Sequence, residues 1–208
     1  TDSNGCTTTA AITLTEPPLL TSLVSGTNLL CFQDNSGTID LTVNGGTLPY
    51  SYLWTGPGGP YTTEDLQNLA AGAYNVVIID SNGCVNMTTI TLTEPPLLTS
   101  SVSGTNLLCF QNNSGTIDLT VNGGTLPYSY LWTGPGGPYT TEDLQNLAAG
   151  TYNVIVTDSN NCTTTAVITL TEPPLLVCSV TGVNLLTFSV PTGSIDLTVN
   201  GGTLPYSY

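Results

Sequence analysis

The chain of 208 residues has no lysine, no arginine and no histidine, against fourteen aspartates and glutamates, for a formal net charge of -14. Phosphate backbones and anionic lipid headgroups are bound through cationic side chains, so nucleic acid and acidic membrane surfaces are excluded as partners. General bases, Schiff-base amines, oxyanion clamps and most zinc sites draw on His, Lys or Arg, which leaves only carboxylates, tyrosines, thiols and hydroxyls for any chemistry. There is no run of eighteen apolar residues for membrane insertion. Glu64 and Asp65 are adjacent, and neighbouring side chains on a strand point apart, so they do not make the facing carboxylate pair of a glycoside hydrolase. These absences point to a protein that is not an enzyme.

What is present is a repeat. Thr15-Glu16-Pro17-Pro18 returns at Thr93 and at Thr171, and Asp2-Ser3-Asn4 returns at Asp80 and Asp158, always 78 residues on. Residues 15–92 and 93–170 differ at twelve positions, as expected of a recent duplication. Solenoids and propellers repeat every 20 to 50 residues because one unit cannot close its own core, whereas 78 residues suffice for a small self-contained domain. The chain therefore reads as 1–14, the last strand of a preceding repeat; 15–92 and 93–170, two complete repeats; and 171–208, the start of a further one. That register suggests a window on a longer protein, arranged as beads on a string or a fibre.

Within a repeat, Ile39-Asp40-Leu41-Thr42-Val43 and Thr89-Ile90-Thr91-Leu92-Thr93 alternate apolar with polar residues, the mark of strands with one buried face. Tyr74-Asn75-Val76-Val77-Ile78-Ile79 is more continuously apolar, Tyr50-Ser51-Tyr52-Leu53-Trp54 is aromatic, and Gly/Pro/Asn clusters separate them. About seven short strands per repeat imply an all-β fold of tandem Ig-like β-sandwiches. Residues 64–72 suit a corner between strands. Trp54 is expected in the core, and Tyr74, following Ala71-Gly72, sits where a tyrosine corner belongs. The functional rival is a sugar-binding platform of Tyr50, Tyr52, Trp54 and Tyr61.

Six cysteines, at 6, 31, 84, 109, 162 and 178, in a Thr- and Asn-rich β array argue for disulfides and an extracellular setting. The period expects cysteine at 187, where Thr187 stands, and a new one appears at 178. If Ser103-Gly104-Thr105-Asn106 is a hairpin turn, Ser100 faces Cys109, and the exchange of 187 for 178 is between cross-strand neighbours. Counting strand directions from that hairpin pairs Cys31 with Cys84 and Cys109 with Cys162, and leaves Cys6 and Cys178 to bond repeats outside 1–208. The sequential alternative joins Cys6 to Cys31, Cys84 to Cys109 and Cys162 to Cys178.

The succession Gly45-Gly46-Thr47-Leu48-Pro49-Tyr50, Ala71-Gly72-Ala73-Tyr74, Asp80-Ser81-Asn82-Gly83-Cys84 and Thr93-Glu94-Pro95 resembles the SprB repeat, over nearly the whole unit. That family occurs in very large cell-surface adhesins of gliding bacteria, so the resemblance implies a secreted β-sandwich spacer or adhesive repeat without catalytic residues. Asn86, Asn112 and Asn161 head N-glycosylation sequons, and the threonine-rich faces are candidates for O-linked sugar. Glu64, Asp65, Asp80 and Asn82 offer hard oxygen donors for Ca2+, although Asp80-Ser81-Asn82-Gly83 lacks the downstream glutamate of a calcium loop. Strands such as residues 88–93 carry no basic residue to discourage edge pairing. The expected partners are other copies or neighbouring repeats, with surface glycans under the alternative of a glycan- or calcium-binding adhesion module.

Overall fold

The computed structural model describes residues 1–185, 188 and 193–208, so Thr187 lies outside the described residues. The chain forms two compact units, Thr1–Glu94 and Pro95–Tyr208. Among the described residues all regular structure is β.

In the first unit, β1 (Thr21–Thr27), β2 (Gly37–Asn44) and β4 (Leu66–Leu69) make one antiparallel sheet in the order β1-β2-β4. The second sheet, in the order β3-β5-β6, is built from β3 (Ser51–Thr55), β5 (Gly72–Ile79) and β6 (Val85–Leu92). Alternation decides what lies between them. Ile39 and Leu41 from β2 and Tyr74, Val76 and Ile78 from β5 turn inward, Trp54 and Leu92 fill the centre, and all are buried. The second unit repeats this as β7 (Thr99–Thr105), β8 (Gly115–Asn122), β9 (Ser129–Thr133), β10 (Leu144–Leu147), β11 (Gly150–Thr157) and β12 (Thr163–Leu170). It then adds β13 (Val177–Val183) paired with β14 (Ser194–Asn200).

Two expectations are corrected. Residues 64–72 contain a strand, β4, whose buried residues Leu66 and Leu69 are three apart; Asn68 at φ 57° and a register shift against β2 let both face the core. The hairpin turn is absent as well: β7 runs straight through Ser103-Gly104-Thr105, and Ser100 faces Val121 on β8. The first unit shows the reason. A side chain at Gly26, the equivalent of Gly104, would meet Thr38 O at 2.8 Å and the Leu92 side chain at 2.9 Å. The glycine therefore marks close approach of β1 to β6, a use of glycine in strands that sequence does not distinguish from a turn. A complete repeat has six strands.

Candidate functional site

The aromatic residues of the sugar-platform reading are turned to the interior or tied to backbone. Trp54 has no exposed surface, and its Nε1 donates to Thr63 O at 3.0 Å. Tyr74 is fully buried and its hydroxyl donates to Ala70 O at 2.9 Å, which makes the tyrosine corner. Tyr61 donates to Pro57 O and Tyr50 to Gly45 O. Tyr52 is half-buried; burial first, and then the Glu64 carboxylate beside it, push its pKa up to about 12.

The acidic residues serve the backbone. Asp65 Oδ1 accepts the Leu41 N–H of β2 at 3.0 Å, and its equivalent Asp143 accepts from Leu119. Asp80, only 4% exposed, accepts from Asn82 N and Cys84 N on Oδ1 and from Thr47 N on Oδ2. Burial alone would raise its pKa; the N–H donors from Cys84, Thr47 and Asn82 outweigh that and hold it below the ordinary carboxylate value. Asn82 turns its side-chain amide to Thr47 Oγ1. Glu64 is exposed at the other end of the Tyr52 contact. Among the described residues no group of three or more His, Cys, Asp or Glu is placed to hold a metal ion.

The cysteines depart from the expected pairs. Cys31 and Cys162 are disulfide-bonded, whereas Cys6, Cys84, Cys109 and Cys178 are exposed thiols. Strand direction explains why Cys31 does not meet Cys84. Cys31 follows Leu29, whose N–H donates to Thr93 O just past the end of β6, while Cys84 immediately precedes the start of β6. Eight strand residues set the two about 27 Å apart, against the Cα separation of about 4–7 Å that a disulfide spans. With β1 an uninterrupted strand the parity of the count inverts, and the same holds for Cys109 and Cys162.

Of the sequon residues, Asn86 is half-buried, accepting the Ser22 hydroxyl at 2.6 Å and donating to Leu20 O. Asn112 is exposed, with Oδ1 engaged by Ser114, and Asn161 is exposed at φ 67°.

Two exposed apolar stretches in the partial periods were not singled out from the sequence. Residues 7–14 carry no strand, and Ile12 and Leu14 are 85% and 86% exposed. Their sequence matches β12 at all but Ala11, and in β12 the equivalent Leu170 is buried. On β14, Ile195 is 82% exposed, yet its equivalent Ile117 is 2% exposed where a second sheet covers it. Aligning burial patterns one period apart is the signal that finds them.

The SprB repeat family model matches residues 24–59, 101–137 and 188–208, one segment in each period, so each period carries a stretch similar to the SprB repeat. No curated protein matches the chain. Among solved structures, similar ones include the N-terminal eight Ig domains of Down Syndrome Cell Adhesion Molecule, at 15% identity and TM-score 0.42 over 74% of this chain and 25% of that one. Another is DIP-gamma Ig1+Ig2, at 11% identity and TM-score 0.40, covering 74% of this chain and 98% of that chain. A third, a Dscam isoform-specificity structure, has 14% identity and TM-score 0.34, covering 76% of this chain; the chain spans 46% of its length. The Ig-like assignment itself follows from the two facing three-stranded sheets and the tyrosine corner.

Proposed function

We propose that these SprB-type repeats are a non-catalytic structural segment of a secreted bacterial surface adhesin or extracellular fibre, assembling through β-strand pairing between repeats or chains. The observation that supports the pairing is a sequence match: residues 7–14 have the sequence of a strand that lies beside β7 in the complete repeat, and β13 is the equivalent of β7. In the second unit that neighbour shields Val102 on β7, while the equivalent Val180 on β13 is 64% exposed. Adding a strand to an exposed edge supplies main-chain hydrogen bonds together with apolar contact. Absence of lysine from these edges removes the usual block to such pairing.

Support for a spacer over a binding module comes from the polar and aromatic groups themselves. Trp54, Tyr61, Tyr74 and Asp80 each spend their hydrogen-bonding capacity on backbone partners within the same repeat. The test is light scattering on the 208-residue chain over a hundredfold concentration range, with hydrogen exchange of residues 7–14. Concentration-dependent association that protects residues 7–14 is expected, and Ile12→Asp with Leu14→Asp abolishes both. A chain that stays monomeric at high concentration with rapid exchange in that segment would overturn the pairing.

A further inference from the structure

We propose that Cys109 and Cys178 form a disulfide that ties the second repeat to the strand pair that follows it. The inference is independent of strand exchange and rests on the second unit alone. Cys109 lies in the loop between β7 and β8, at the end of the sandwich where β12 stops: Leu107 N donates to Thr171 O at 3.0 Å. Two residues beyond Cys109, Gln111 N donates to the Glu172 carboxylate at 2.7 Å, which pins this loop to the linker. The linker then runs through Pro173 and Pro174 into β13, where Cys178 is the second residue.

The two thiols face a common neighbourhood. Cys109 lines a cavity with Pro174, Leu176 and Thr203, and Cys178 lines an adjoining one with Leu176, Val199 and Thr203. Leu176 and Thr203 therefore belong to both walls. A disulfide needs Cα atoms within about 7 Å and converging Cβ directions, and the two shared wall residues place both cysteines beside the same linker and turn. Both cysteines are exposed, so a soluble oxidant has access.

Equivalent positions show the same bonding competence. Cys31, one period before Cys109, is disulfide-bonded. Ser100, one period before Cys178, places its hydroxyl 3.3 Å from that of Thr164, two residues from the disulfide-bonded Cys162. Position 178 thus stands at the end of its repeat where, in the preceding repeat, a cysteine is already oxidised. The exchange of cysteine from 187 to 178 moves a thiol between the two ends of a repeat, and to the end that meets Cys109.

The bond forms by thiol–disulfide exchange with a low-molecular-weight disulfide such as oxidised glutathione. One cysteine thiolate attacks that disulfide, forming a mixed disulfide and releasing one small-molecule thiolate; the second cysteine thiolate then displaces the other. Two protein thiols are oxidised, one external disulfide is reduced to two thiols, and the two protons lost by the cysteines pass to the released thiolates. The product closes the Thr171-Glu172-Pro173-Pro174 linker into a ring and restricts bending between repeats.

The test is disulfide mapping of the full chain after equilibration with oxidised glutathione. Free thiols are alkylated in denaturant without reduction, and the chain is then cut after Asp and Glu, since it offers no site to trypsin. A linked pair of peptides 81–118 and 159–196 is expected, because the Glu94-Pro95 and Glu172-Pro173 bonds resist cleavage; fragmentation assigns the bond to Cys109 and Cys178, and Cys178→Ser leaves Cys109 open to alkylation. The inference is overturned if wild-type Cys109 and Cys178 are both alkylated, if fragmentation assigns the Cys109 bond to Cys162, or if Cys109 stays protected in Cys178→Ser.

Discussion

At Asp80 one carboxylate closes a turn by accepting three backbone N–H groups, and the same arrangement recurs at Asp158 and, for Asn4 and Cys6, at Asp2. Asp2 forms its turn with no neighbouring sheet, so the motif is local chemistry of the Asp-x-Asn-x-Cys sequence. Replacing Asp80 with Ala strands three donors, and urea denaturation is expected to show a lower midpoint. Its pKa is depressed in the folded state, so its stabilisation is present above pH ~4 and disappears as pH falls through the folded value. Denaturation midpoints should therefore drop below pH 4 in the wild type, and Asp80→Asn should flatten that dependence. Tyr52 works at the opposite limit. With a folded pKa of about 12 against 10 unfolded, its contribution holds below pH 10 and is lost between pH 10 and 12. Absorbance at 295 nm should show a tyrosine fraction ionising late and together with unfolding, reduced in Tyr52→Phe.

At the scale of elements, the turns after β2 and β8 fix where each repeat receives its linker. Gly45 has φ 75°, and Gly46 N donates to Pro18 O at 2.7 Å, so the turn grips the incoming chain. A side chain at Gly45 would come within 2.0 Å of Leu19 O. Gly45→Ala is expected to cost about 1–3 kcal/mol from the left-handed backbone alone, and more from the displaced linker. Thermal unfolding compared with Gly83→Ala separates the two contributions, because Gly83 has φ 82° but open space around it. The strands themselves are legible wherever burial alternates, as in β2 and β5. The bulged β4 and the glycine-containing β1 are not, because each breaks the two-residue period for a packing reason that lies on another strand.

For the whole molecule, fourteen negative charges without a cation mean that every long-range charge interaction is repulsive. Screening at 0.3 M salt shortens the Debye length to about 6 Å, and the midpoint of thermal unfolding is expected to rise by several degrees over that in 10 mM salt. The proposed strand pairing between copies is expected to strengthen in parallel, which light scattering at the two ionic strengths reads directly. A midpoint and mass independent of salt would show that the charges are too far apart to matter.

The sequence by itself determined the 78-residue period, the β class, the buried Trp54, the tyrosine corner at Tyr74 and the exclusion of cation-dependent functions, because each follows from composition or from a pattern a few residues long. The SprB-type motif is equally local. Only the tertiary structure decided which end of a sandwich each cysteine occupies. That depends on the number of strand reversals between two positions, and a single glycine in β1, required by the Leu92 side chain across the core, changes the count by one. It likewise decided that Asp65 and Asp80 face backbone N–H groups, since the donors from Leu41 and Thr47 reach them only after the strands have paired.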